Sequence, residues 1–159
     1  MKFSQDINSS SNKSLLILSL PVIFEKILSS NKHKPYKKSL FDSHSASLNI
    51  NSYIIRLINL TEIEVSTIIH SLILLDLFCK RSQVQISQNN IHKLIASSFM
   101  ISIKLLEDEI YNESQYCAIF GFSTKTLSEL EYLFLEELEY KVSIDEKLFQ
   151  AYFDSILQQ

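Results

Sequence analysis

"NIHKLIASSFMISIKLLEDEIYN", residues 90–112, carries an apolar stripe at helical spacing, one lysine near its end and three consecutive acids before Tyr-Asn. The stripe is Ile91, Leu94, Ile95, Phe99, Ile103 and Leu106, steps of mostly three and four residues that gather on one helix face. Ala96, Ser97, Ser98 and Ser102 lie between them, and such small side chains let neighbouring helices approach from several sides. A helix of this kind belongs at the centre of a bundle. Lys104 does not fit that setting, because a lysine is seldom buried without a partner. Either it snorkels out of the core or it belongs to a contact surface.

The same periodicity extends on both sides. Tyr53, Ile54, Leu57 and Ile58 mark one helix, and Val65, Ile68, Ile69, Leu72 and Ile73 the next. After the central helix comes a short one with Tyr116, Ala118 and Ile119. Gly121 then suits a left-handed C-cap and Ser123 an N-cap for a helix over 124–141, with Leu127, Leu130, Leu133, Phe134, Leu135 and Leu138. "DEKLFQAYFDSIL" supplies a last helix from Asp145. Upstream, residues 1–13 read as a disordered tail. Residues 14–46 read as an amphipathic N-terminal helix, carrying Leu15, Leu18, Val22 and Ile23, followed by a polar linker. Residues 47–159 form the main helical unit.

Composition supports an all-α fold. The chain of 159 residues is 46% apolar, with one Gly and two Pro, so β-turns and Gly-rich phosphate loops lack their raw material. Cys79 and Cys117 have no metal-ligand spacing and read as reduced core residues. His33, His44, His70 and His92 show no metal spacing, and no nucleophile–base arrangement, P-loop or kinase signature is present, so neither catalysis, a cofactor nor a small-molecule substrate is expected. Net charge is −3; five of the fifteen cations lie between Lys26 and Lys38, read as a solvated linker, and eleven of the eighteen acids lie between Glu107 and Glu146. That distribution suits a basic protein partner rather than nucleic acid. "KSLLILSLPVIFEK", residues 13–26, falls short of the ~20 apolar residues of a spanning helix and lacks a cleavage site, so no membrane association is expected.

Four charged residues sit in otherwise apolar helical surroundings: Arg56, Asp76, Lys104 and Glu131. Asp76 follows Ile69, Leu72 and Ile73 by seven, four and three residues, which puts it on the core stripe in need of a cation.

Five helices after a longer N-terminal one, with an Arg on the first, an Asp late in the second, a Lys late in the small-residue-rich third and a Glu within the fifth, resemble the cyclin box. Lys104 with Glu107 and Asp108, Tyr111-Asn112, Tyr116, Gly121 and the run Leu127–Leu135 narrow the resemblance to the phosphate-regulatory, or P/U-type, cyclins. The resemblance covers about residues 47–157, and "LPVIFEKILSSN" is similar to the family's leading helix. It implies a single box, a non-enzymatic regulatory subunit, and a cyclin-dependent protein kinase as partner in the nucleus or cytoplasm, with phosphate signalling or cell-cycle control as the setting. Arg56 and Asp76 match the family's buried ion pair. Lys104 and Glu131 match the pair that meets the kinase, together with Leu105, Asp108, Tyr111 and Leu135. Asp76 departs from the pattern in being followed by Leu77, where an Arg is common. Two other classes fit a helical bundle: an adaptor that binds no kinase, and a nucleic-acid-binding cyclin fold of the general transcription factor kind. The latter ordinarily has two repeats and a basic face.

Overall fold

The computed structural model describes residues 6–43 and 48–158, so the readings for residues 1–5 and for His44 lie outside the described residues. Among the described residues there are seven helices and no strand: α1 (Ser10–Asn31), α2 (Ile50–Thr61), α3 (Val65–Ser82), α4 (Ile91–Leu106), α5 (Glu113–Phe120), α6 (Thr124–Glu137) and α7 (Glu146–Leu157).

The central helix is α4, packed mainly against α3 and α6 and also against α2. Ala96, Ser97, Ser98 and Ser102 are all buried. The serines stay satisfied in the apolar interior: Ser97 Oγ donates to Lys93 O at 2.7 Å, Ser98 Oγ donates to Ile95 O at 3.2 Å, and Ser102 Oγ meets His70 Nδ1 at 2.8 Å. His70 Nε2 is 3.0 Å from Val142 O, so one neutral imidazole ties α3, α4 and the α6–α7 connection together. Burial lowers the His70 pKa, the cost of charging an imidazole out of water. Of the stripe residues on α4 only Leu106 leaves the core, at the helix end.

Polar caps set most helix boundaries. Asn49, Ser123 and Asp145 accept from Ser52 N, Thr126 N and Leu148 N, and Asn112 with Gln115 forms a reciprocal capping box at α5. Gly121 ends α5 with φ 78°, the left-handed conformation a residue with Cβ resists. α6 stops at Glu137, short of the expected residue 141, because Glu139 and Tyr140 take left-handed conformations and Tyr140 N donates back to Leu135 O at 2.8 Å.

Three expectations for the N-terminal part are corrected. Residues 6–13 are ordered rather than a tail: Ser9 caps α1 through Asn12 N, and Asn8 Oδ1 accepts from Ser66 N at 2.9 Å. α1 thereby reaches 22 residues, long and apolar enough by length and composition to cross a membrane, although Leu16, Leu20, Phe24 and Leu28 are in the core. The helix is also rotated from the expected phase. Leu15, Leu18 and Val22 face outward, since Leu16, Leu20, Phe24 and Leu28 form the longer unbroken i, i+4 row. Finally, the linker is not wholly polar. Phe41 is buried against the stacked pair Phe78–Phe134, with ring centroids at 5.0 Å and 6.4 Å. That contact pins the path from α1 to α2.

Candidate functional site

The site lies where the C-terminal end of α4 meets α5 and α6. Lys104 Nζ lies 2.9 Å and 2.8 Å from the two carboxylate oxygens of Glu131, a bidentate contact at side-chain exposures of 35% and 25%. The ammonium also stands 5.4 Å from the centroid of the Tyr116 ring, within range of the attraction between a cation and an aromatic face. Tyr116 is buried, and its ring meets Tyr111 edge-on at 5.6 Å and stacks with Phe120 at 6.1 Å. Lys104 therefore has its ammonium head over an aromatic ring and aimed by a carboxylate one helix away. It is neither buried in the core nor loose in solvent.

Around this pair the surface is apolar. Leu105 is 49% exposed and Ile110 63%, with Leu106 beside them and exposed Asp108 in the bend between. Tyr111 donates to Thr61 O and so fastens this bend to the end of α2; burial raises its pKa, with Glu107 adding to the shift. Leu135 lies one turn beyond Glu131 on α6 and is half-buried against the core. A crevice of about 70 Å³ is lined by Lys104, Tyr116, Ser128 and Glu131, too small for a metabolite. The structure thus brings Lys104 and Glu131 together, sets Leu105, Asp108 and Tyr111 beside them, and leaves Leu135 at the edge.

Arg56 and Asp76 are not brought together. Arg56 Nη2 donates to Ala118 O at 2.7 Å, capping one of the orphan carbonyls in the last turn of α5, and Tyr53 Oη donates to Phe120 O at 2.8 Å next to it. Asp76 instead accepts from Tyr152 on α7 and pairs with Lys80 at 2.7 Å, with its side chain 38% exposed. The expected buried pair is corrected for a geometric reason. α2 offers its Arg56 side to α5, whereas Asp76 sits on the edge of α3 that α1 and α7 flank.

One positioning residue escaped the sequence analysis. Glu107 accepts from Glu64 N at 3.0 Å and from Thr67 Oγ1 at 2.5 Å, so its carboxylate closes the N-terminus of α3, where Glu64 provides no side-chain cap. It fixes the chain directly after Lys104. Its place in the acidic run and in the family motif after Lys104 was visible in advance, but not its role at the start of α3. The cysteines are free and half-buried rather than core, and burial next to Asp76 pushes the Cys79 thiol up to about 12, far from a nucleophile. Among the described residues no group of three or more His, Cys, Asp or Glu could hold a metal ion.

Comparison with known proteins completes the picture. The sequence model of the cyclin family matches residues 4–142, which takes in α1, extends upstream of the expected boundary at residue 47 and ends before α7. Cyclin-U4-1 of Arabidopsis thaliana is 30% identical over 97% of this chain and 80% of its own length. Cyclin-U2-1 of the same plant is 28% identical over 94% and 72%, and Cyclin-P3-1 of Oryza sativa subsp. japonica is 27% identical over 80% and 54%. An all-helical box around a small-residue helix, matched by the family model over most of its length and by plant P- and U-type relatives, makes this chain a member of the cyclin family, of the P/U type.

Proposed function

We propose that this cyclin binds and activates a cyclin-dependent protein kinase, using the edge formed by Lys104, Glu131 and the leucines after Lys104. The observation that carries the reading is the oriented lysine itself. An ammonium held by two carboxylate oxygens and an aromatic face keeps donor capacity pointing outward, ready for backbone carbonyls of a partner. Exposed Leu105, Leu106 and Ile110 around it supply apolar area to bury, and Asp108 and Glu109 supply a polar rim. Activation follows from where the contact falls on the kinase. A cyclin that holds the kinase's mobile αC helix inward favours the conformation in which the αC glutamate and the β3 lysine pair, shifting the population toward the active state. The cyclin supplies no catalytic group to that step. A kinase partner places the proposed action inside the cell, in the nucleus or cytoplasm.

The test is recovery from a panel of kinase domains. A cyclin-dependent kinase retained by the parent chain and released by Lys104→Ala or Glu131→Lys supports the reading. Equal retention of all three removes it.

A further inference from the structure

We propose that the outer face of α1, together with the lysine-rich segment after it, docks on an anionic membrane surface. α1 buries Leu16, Leu20, Phe24 and Leu28 and presents Leu15, Leu18 and Val22 on the opposite side, Leu18 being 70% exposed. The patch continues onto α2. Asn8 Nδ2 donates to Glu64 at 2.7 Å and Asn51 donates to Glu25, so the two helices run antiparallel in a register that sets exposed Ile55 beside the turn containing Val22.

Charge identifies the occupant. Residues 13–38 hold six lysines and one acid, a net +5, in a chain whose total is −3, which leaves −8 for the rest. Lys26 lies one turn beyond Val22 on the same helix face, and Lys32 and Lys34 stand with Glu25 and Asn51 at the end of α1, all three exposed; Lys37 and Lys38 lie farther off, beside Leu133 and Glu137 of α6. The one acid, Glu25, already accepts from the Asn51 amide. A second copy of this chain, meeting face to face, would set Lys26, Lys32 and Lys34 against their own counterparts. An anionic lipid surface instead takes apolar side chains at its acyl boundary and flexible lysine heads at its phosphates. α1 is apolar and long enough to enter a bilayer by composition, but its inner row is held in the core, so it lies in the interface plane and does not span. A lysine-rich segment that is merely solvated is the alternative outcome.

The test is co-sedimentation of the full chain with phosphatidylcholine vesicles, with and without about 30% phosphatidylserine. Retention is expected on the anionic vesicles alone and should weaken as salt is raised. The double variant Leu18→Asn, Val22→Asn changes only exposed positions; it should keep the melting midpoint and lose at least about tenfold in affinity. Alanine at Lys26, Lys32 and Lys34 should lose at least about tenfold as well. Lys104→Ala should leave vesicle retention unchanged, which separates this surface from the kinase-binding edge. The proposal is overturned by an absence of retention at low salt, by equal retention on neutral vesicles, or by retention that ignores the Leu18 and Val22 changes. A dimer that those same changes dissolve would also overturn it, since the face would then be a self-association surface.

Discussion

Lys104 and Glu131 pair across two helices at partial exposure, and for such a pair the contribution to folding is small, about 0–1 kcal/mol. At the proposed kinase contact its value is larger, because a desolvated ammonium donating to carbonyls is worth several times a solvent-exposed ion pair. Lys104→Ala is therefore expected to weaken kinase affinity by about 2–5 kcal/mol, mostly through faster dissociation, while the melting midpoint hardly moves. Calorimetric melts and binding kinetics on one preparation check both halves. Asp76 behaves differently. A buried ion pair broken on one side would cost about 3–5 kcal/mol, but Asp76 is partly exposed and held by a tyrosine hydroxyl and an i, i+4 lysine. Asp76→Ala should cost about 1–2 kcal/mol in urea unfolding, chiefly the lost hydrogen bond from Tyr152. A loss as large as that of a buried pair would mean that Asp76 meets a cation the structure does not show.

At the scale of elements, the helices were legible wherever the apolar spacing was long and unbroken. Tyr53, Ile54, Leu57 and Ile58 on α2, and Ile91 to Ile103 on α4, are buried as their period requires, and the caps at Gly121 and Ser123 follow from residue type alone. Spacing is a weaker guide where a helix is apolar nearly all round. α1 carries leucines or isoleucines at 15, 16, 17, 18 and 20, so several phases fit, and the choice of Leu16, Leu20, Phe24 and Leu28 is made by α2, α3 and α7 packing against it. Pairings between elements were the least legible, because a sequence shows that Asp76 needs a partner without showing which helix brings one. Arg56 shows the consequence. It caps α5, so Arg56→Ala should cost about 1 kcal/mol by releasing the Ala118 carbonyl. In a double-mutant cycle with Asp76→Asn, the coupling should stay within about 0.5 kcal/mol, the range for independent sites. A coupling of several times that value would restore the ion pair.

Across the whole molecule, two buried imidazoles make stability depend on pH. Burial lowers the pKa of both His70 and His92 from 6.5, so the unfolded chain takes up protons that the folded chain refuses. The stability tied to their neutral forms is fully present above pH 6.5 and is lost as pH falls below it toward the depressed folded values. Unfolding in urea should thus need less denaturant at about pH 5.5 than at about pH 7.5, and His70→Gln should shrink that difference. Glu139 adds a separate acid limb. Its carboxylate is pulled down to about 2 by hydrogen bonds from Lys141 and Arg81, so its contribution disappears only as pH falls below its ordinary 4.5. The folded bundle holds one lysine, one carboxylate and a few leucines at an exposed edge, and the proposed function is that this edge turns a kinase on. The measurement that tests it most directly is the phosphoryl-transfer rate of a co-purified cyclin-dependent kinase with the parent chain, with Lys104→Ala and with Glu131→Lys, each first shown to be folded by circular dichroism. The account predicts strong activation by the parent, weakened activation by Lys104→Ala and none by Glu131→Lys, where two cations would face each other. Full activation by both folded variants would contradict it.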